Sequence, residues 1–398
     1  MESAVTQTES PVSSQAQAGA AFKPASARLQ SLDFFRGVTI AAMILVNDPG
    51  NGHAAYGPLK HSAWNGWTPT DLVFPFFVFI VGVSMVFSFA SRLERGESRS
   101  RLMLHVVRRA AILFALGVFL NGFPNEYHAS SIRIEGVLQR IALCYLVSAL
   151  LVLWTGTRAR WAAVVICLAG YWVLMRFVPV PGFGIPTHDI PLLDPDRNLA
   201  AWLDRKVFPG HLYEGTRDPE GLLSTIPAIA TCLFGVLTGE WLRSAASPRR
   251  KTSWLLLAGV VGIVAGEIFN VWFPINKKLW TSSYVLFTAG LALLCLGISY
   301  WLLDVKRWRG AWTKPAIVFG VNAIAAYTFS EILAKILDAA NVHLADGRVL
   351  SWQEVIYQRC FAPLASPANA SLIYSLVYVL VCLVVVWIMY RKKIFLKI

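Results

Sequence analysis

The stretch Lys60-His61-Ser62-Ala63-Trp64-Asn65-Gly66-Trp67-Thr68-Pro69-Thr70-Asp71-Leu72-Val73-Phe74-Pro75-Phe76-Phe77-Val78-Phe79-Ile80 runs from a polar loop straight into an apolar segment. The apolar part continues with almost no charge, which predicts a membrane-crossing helix over 71–91. Thr68 is placed to cap that helix, Pro69 fits its first turn, and the Asp71 carboxylate meets the positive end of the helix dipole. Those roles account for Asp71 without chemistry. Pro75 is expected to bend or loosen the helix and to free a carbonyl that needs a partner from protein or water. His61 lies at the helix mouth and is of a residue type suited to proton transfer near neutral pH. From spacing alone it is more readily a loop histidine bonded to its neighbours.

The rest of the chain is equally apolar. Of 398 residues, 56% are hydrophobic and only 15% charged, and a mean hydropathy of +0.54 exceeds that of ordinary soluble proteins. Ten helical spans are expected, at 31–47, 71–91, 104–121, 135–155, 161–178, 221–242, 254–273, 281–303, 315–337 and 370–390. The fold class is therefore all-α, a polytopic integral membrane protein in contact with the lipid bilayer. The first span is the least apolar, because Asp33 and Arg36 lie in its opening turns. Residues 1–27, rich in Ser, Ala, Gln and Thr, lack the apolar core of a cleavable signal peptide and read as a disordered cytoplasmic tail. Residues 28–398 form one transmembrane domain without a visible repeat.

The formal net charge of +13 raises the question of nucleic acid, but the positions of the charges argue for a membrane instead. Lys and Arg concentrate in the tail with its helix start (Lys23, Arg28 and Arg36), in loops 92–109, 156–160, 243–253 and 304–314, and at the C-terminus, which together hold 23 of the 36. Both termini are then cytoplasmic, with loops 48–70, 122–134, 179–220, 274–280 and 338–369 on the other side. Loop 179–220 mixes Pro179, Pro181, Pro186, Pro191, Pro195 and Pro209 with Trp202, Phe208 and Tyr213, a composition that suits an ordered lid. Five of the six cysteines fall inside spans and none forms a CxxC pair, which points away from disulfides and metal.

Charged or amide groups at membrane depth need pairing, an interface or a wet cavity, because a charge at the centre of a span costs about 2.5–3.5 kcal/mol on insertion scales. The candidates are Asp33, Arg36, Asn47, Asp71, Arg140, Glu240, Glu267, Asn322, Glu331 and Lys335. Glu331 and Lys335 stand in the favourable order for an i,i+4 ion pair, which by itself accounts for both. Asn47 either orients a substrate or begins the Asn47-Asp48-Pro49-Gly50 turn. Arg140 lies inside a span and calls for an anionic partner. The arginines of loop 92–109, Arg108 and Arg109 among them, suit the phosphates of a cytoplasmic cofactor, although topology alone also explains a basic loop.

Ser31-Leu32-Asp33-Phe34-Phe35-Arg36-Gly37, Val46-Asn47 and the run from His61 to Gly82 resemble the heparan-α-glucosaminide N-acetyltransferase family of transmembrane acyltransferases. The likeness continues through Ile132–Arg140, Asn276-Lys277-Lys278-Leu279-Trp280-Thr281-Ser282-Ser283-Tyr284-Val285 and Asn322–Glu331, nearly all of the chain after residue 28. The resemblance implies an acetyltransferase that moves an acetyl group from cytoplasmic acetyl-CoA to an amino sugar or other glycan on the far side. It carries the family's active histidine onto His61 and its asparagine onto Asn47. In the mechanism expected here, His61 is general base or transient acyl acceptor and Asp71 orients the imidazole. Arg36, Arg108, Arg109, Arg140 and Asn322 are expected to bind the cofactor, and no metal is expected. The chain resembles a bacterial-type member without the luminal domain, in the inner (cytoplasmic) membrane, and its Asn47–His61 spacing is a few residues longer than the family's. The aromatic-rich spans suit a monomer or a homodimer. The rival class is a multi-span transporter or flippase for a glycan or small molecule, which paired broken helices in two halves would favour.

Overall fold

The computed structural model describes residues 29–128, 130–343 and 347–396, so the tail expected over 1–27 lies outside the described residues. Its helices are α1 (Gln30–Asn47), α2 (Val73–Glu94), α3 (Arg99–Gly122), α4 (Val137–Trp154), α5 (Thr157–Phe177), α6 (Leu199–Val207) and α7 (Thr225–Arg243). They continue with α8 (Pro248–Asn270), α9 (Ser282–Tyr300), α10 (Lys314–Val321), α11 (Ala323–Ala339), α12 (Trp352–Ile356) and α13 (Pro367–Arg391). One two-stranded hairpin, β1 (Asn341–His343) with β2 (Val349–Ser351), is the only sheet among the described residues. The chain is an all-α integral membrane protein.

Eight helical segments among the described residues are long and apolar enough to cross a bilayer. A ninth crossing, expected as one straight span over 315–337, is instead the pair α10 and α11, bent by 77° at Asn322. The remaining expected span is α1, which has 18 residues and carries Asp33 and Arg36 in its first two turns. Lipid-facing surface is visible on α8, where Leu257, Val261, Val264 and Ile268 are all exposed apolar side chains.

Two packed groups meet along the middle of the molecule. Helices α2, α3, α4 and α7 share one core, and α1, α10, α11 and α13 share another, with Phe77 and Tyr327 touching both. Close helix approach in lipid depends on small residues rather than on exclusion of water. At the α1–α10 crossing a Cβ on Gly37 would lie 1.6 Å from the Ala316 carbonyl oxygen, and one on Gly320 would lie 1.9 Å from that of Asp33. Glycine is obligatory there, and its backbone contact sets the position of Arg36 beside Gly320.

The segment between α5 and α7 folds as an ordered cover. Asn198 caps α6 through Ala201 N–H at 2.9 Å, and Trp64 Nε1 donates to the Leu193 carbonyl at 2.8 Å, pinning the cover to the His61 loop. Arg217 and Lys278 lie over the faces of the Trp64 ring, 5.2 and 5.9 Å from its centroid. The Pro- and aromatic-rich composition of 179–220 thus yields fixed structure.

Candidate active site

The polar site is built where α2 begins. Thr68 and Asp71 form a capping box in which Thr68 N–H donates to Asp71 Oδ2 at 3.0 Å, so the helix-start role read from the sequence is real. The same Oδ2 accepts Ser62 N–H at 3.0 Å. The second oxygen, Oδ1, faces His61 Nδ1 at 2.7 Å. Asp71 is 1% exposed and the His61 side chain 47%, an arrangement in which a buried carboxylate holds one edge of an imidazole and leaves the other open. The carboxylate that caps the start of α2 is thus the one that meets the imidazole.

Pro75 falls in the first turn of α2, a place proline tolerates, so the bend expected from the sequence is not required. The carbonyl it leaves free, that of Asp71, accepts the buried hydroxyl of Tyr284. A proline in α2 and a tyrosine in α9 thereby hold the backbone of the carboxylate residue from both sides.

A third group joins His61 that sequence reasoning had not singled out. Lys277 Nζ lies 3.0 Å from His61 Nδ1, 3.3 Å from Nε2 and 3.7 Å from Asp71 Oδ1. Its loop is clipped to the His61 loop by Gly66 N–H to the Ile275 carbonyl at 2.8 Å and Asn276 Nδ2 to Asn65 Oδ1 at 3.2 Å. Trp280 in the same turn holds a left-handed backbone, φ 51°, with its indole donating to Thr231 Oγ1 at 3.1 Å, a strained conformation kept only where packing over-determines it. The available signal was the Asn276–Val285 motif itself, but nothing local ties that motif to His61.

Asn47, the last residue of α1, is hydrogen-bonded through its side chain to Glu331 of α11 rather than to His61 or Asp71. Lys335 acts on Glu331 only as a nearby charge, and the ion pair expected between the two does not close within 4 Å among the described residues. Asp48 follows, and burial pushes its carboxyl up to about 8, aided by the Glu331 charge.

Below this polar layer a cavity of about 600 Å³ lies between α1, α2, α3, α4, α10 and α11. Arg92, His105, Arg108 and Arg109 line its basic end, Arg36 its middle, and Phe74, Val137 and Tyr327 its opposite end. Phe74 and Arg92 stand about 27 Å apart along α2 at 1.5 Å per residue, so the cavity spans most of the membrane depth. It ends less than one helical turn beneath Asp71. Arg36 donates to Ser84 Oγ at 2.6 Å, to the Gly320 carbonyl at 3.1 Å and to Asp33 at 3.2 Å. Arg109 stacks 5.0 Å from the Tyr145 ring centroid, and its Nε is buried without a hydrogen-bond partner among the described residues.

Two expected cofactor residues sit elsewhere. Arg140 is buried outside the cavity wall, donates to the Gly221 carbonyl at 3.0 Å and to Ser224 Oγ, and lies 5.1 Å from the Trp280 ring centroid. No carboxylate pairs with it within 4 Å among the described residues, and neutral acceptors with an aromatic face take the place of the anion expected. Asn322 lies at the α10–α11 bend between cavity-lining neighbours, with Nδ2 donating to the Ile394 carbonyl at 3.2 Å. Its side-chain oxygen is buried without a partner among the described residues.

Residues 28–266 match the family described as heparan-alpha-glucosaminide N-acetyltransferase, catalytic. The chain is 30% identical over 427 residues to the heparan-alpha-glucosaminide N-acetyltransferase of Mus musculus and 31% identical over 428 residues to that of Homo sapiens. Each alignment covers 93% of this chain, which spans 60% of the length of these relatives. The matched region holds His61, Asp71 and the arginines of the cavity, and the chain belongs to the heparan-α-glucosaminide N-acetyltransferase catalytic family.

Proposed function

We propose that the chain is a membrane acetyltransferase that passes an acetyl group from acetyl-CoA, on the basic cytoplasmic side, to an amino sugar or other glycan on the opposite side. The observation that carries this reading is the cavity, which links a cluster of arginines to a point just beneath the His61–Asp71 pair. Acetyl-CoA is a polyanion that lipid excludes. Its phosphates suit Arg92, Arg108 and Arg109 by charge-assisted hydrogen bonding, and its slender pantetheine arm suits the apolar shaft past Ile80 and Phe77. Only the acyl group then needs to cross.

In this reading the neutral His61 donates Nδ1–H to Asp71 and presents Nε2 to the acceptor. The acceptor nitrogen or oxygen attacks the thioester carbonyl and gives its proton to Nε2. The new bond to carbon forms, the carbon–sulfur bond breaks, and the departing thiolate takes the proton back from Nε2, returning His61 to its neutral form. Asn47, near the same mouth, orients the acyl group or the acceptor together with Glu331. Arg36 and Asn322 shape the shaft at the Gly320 contact, and Arg140 supports the Trp280 wall. The bacterial inner membrane suits a donor made in the cytoplasm and a glycan acceptor outside.

The test is saturable binding and turnover of labelled acetyl-CoA by purified protein in nanodiscs, with glucosamine as acceptor. Turnover lost in His61→Ala, with donor binding intact, is the expected result; a fully active His61→Ala overturns it. The bend at Asn322 is one feature of a transporter, and glucosamine uptake by proteoliposomes without acetyl-CoA would move the chain to that class.

A further inference from the structure

Lys277 is quoted in the Asn276–Val285 motif but given no role there or in the mechanism above, yet it makes the closest cationic contact with His61. Its Nζ is nearly equidistant from the two ring nitrogens, 3.0 and 3.3 Å. Both nitrogens are within hydrogen-bond distance, so the ammonium sits against the two together. Its action on His61 is that of a positive charge set beside the ring.

The neighbouring charges are few. Asp71 approaches His61 from the start of α2 and Lys277 from the loop before α9. Lys60, next in sequence, turns away to the His53 carbonyl at 2.7 Å. Lys278 is committed to Glu214 of the cover at 2.9 Å and to Trp64. Glu220, which is paired with Arg133, reaches Lys277 only as a more distant charge. Asp71 and Lys277 therefore balance one another, and a proton added to His61 would put a second positive charge against a lysine side chain only 18% exposed.

We propose that Lys277 is a positioning residue for the transfer reaction, whose ammonium beside the His61 ring keeps that ring neutral and so able to accept the acceptor's proton. This rests on His61 being the base, as in the reading above. The two-loop clip through Gly66, Asn65 and Asn276 holds the lysine in place, and without it a flexible ammonium would relax toward Glu220 or solvent. Asp71 alone would stabilise the imidazolium. Adding Lys277 cancels that bias while Asp71 still selects the Nδ1–H tautomer. Burial pushes the Lys277 ammonium down from its usual range, opposed by Glu220 and Asp71.

The experiment measures acetyl transfer from acetyl-CoA to glucosamine from pH 5 to 10 by the full chain in nanodiscs, for wild type, Lys277→Met, Lys277→Arg and His61→Ala. Loss of the cation should move the acid limb of kcat/KM upward by about one pH unit, roughly a tenfold loss at pH 6 that largely recovers at pH 9. Lys277→Arg should keep the limb near its wild-type place. If Lys277→Met lowers the rate by one factor at every pH and Lys277→Arg does not restore it, the lysine is merely structural and the proposal fails. Lys277→Gln serves the same purpose should the methionine variant not fold. A fully active His61→Ala would instead remove the base assignment itself, a different outcome from an unmoved limb with His61 essential.

Discussion

The two ends of the active region are built on opposite principles. At the polar end, Asp71 is held by Thr68, Ser62, Tyr284 and His61, and the loops bearing His61 and Lys277 are joined backbone to backbone. At the basic end, arginines line an open volume of about 600 Å³ with few carboxylate partners. Proton transfer requires groups fixed to within fractions of an ångström. Holding a nucleotide requires room and positive charge. The contrast predicts that substitutions at the polar end change rate, and that those at the basic end change donor affinity.

The sharpest way to break that contrast is Asp71→Ala. It removes the partner of His61 and leaves Ser62 and Thr68 N–H groups without their acceptor, so turnover should fall by about 10²–10⁴, and stability by about 1–3 kcal/mol. Steady-state kinetics with thermal unfolding of the same sample checks both. Donor affinity retained in that variant would show the two ends to be separable.

At the other end, Arg108→Ala and Arg109→Ala should each weaken acetyl-CoA binding by about tenfold, the equivalent of roughly 1.4 kcal/mol for one lost charged contact. Calorimetric titration reads this directly, and kcat at saturating donor should be nearly unchanged. Equal losses in kcat would mean that the basic end takes part in chemistry and would dissolve the comparison.

Tyr284→Phe tests how rigid the polar end must be. It removes only the hydroxyl on the Asp71 carbonyl, and the loss should be about 1 kcal/mol, seen as a several-fold lower kcat with donor binding intact.

The smallest effect concerns the cover. Burial pushes Asp204 up to about 7, with the nearby Asp218 charge adding to it, whereas an unfolded segment would release that proton near the ordinary value of 3.8. The folded cover thus binds the extra proton across that window. Its stability falls as pH rises from about 4 to 7, by at most about 1.4 kcal/mol per pH unit. Hydrogen exchange across 178–224 should quicken with pH beyond the intrinsic trend, and Asp204→Asn should flatten the excess.

The helices were readable because each spanning helix satisfies its backbone within itself, so apolar length alone marks it. The capping of α2 by Thr68 and Asp71 was legible for the same reason, since both partners lie within one turn. Where the expectation of one straight span at 315–337 departed from the fold, the cause was tertiary: Asn322 and Gly320 break the helix where α10 must touch α1 at Gly37. Arg140 was misread because its partners, Gly221, Ser224 and Trp280, are neutral groups far along the chain. Asn47 was marked as a site residue, but its bond to Glu331 lay beyond any local pattern.

By itself the sequence determined the membrane class, the span order, the clustering of the basic residues and the loop that bears His61, all properties of short stretches of chain. Only the tertiary structure decided that Lys277 stands beside His61, that Tyr284 holds the carbonyl freed by Pro75, and that the arginines of α3 open into a shaft ending beneath Asp71. Those facts depend on helices remote in sequence packing side by side. The geometry of such contacts comes from close glycine approaches and buried hydrogen bonds, which no local pattern of hydropathy or charge encodes.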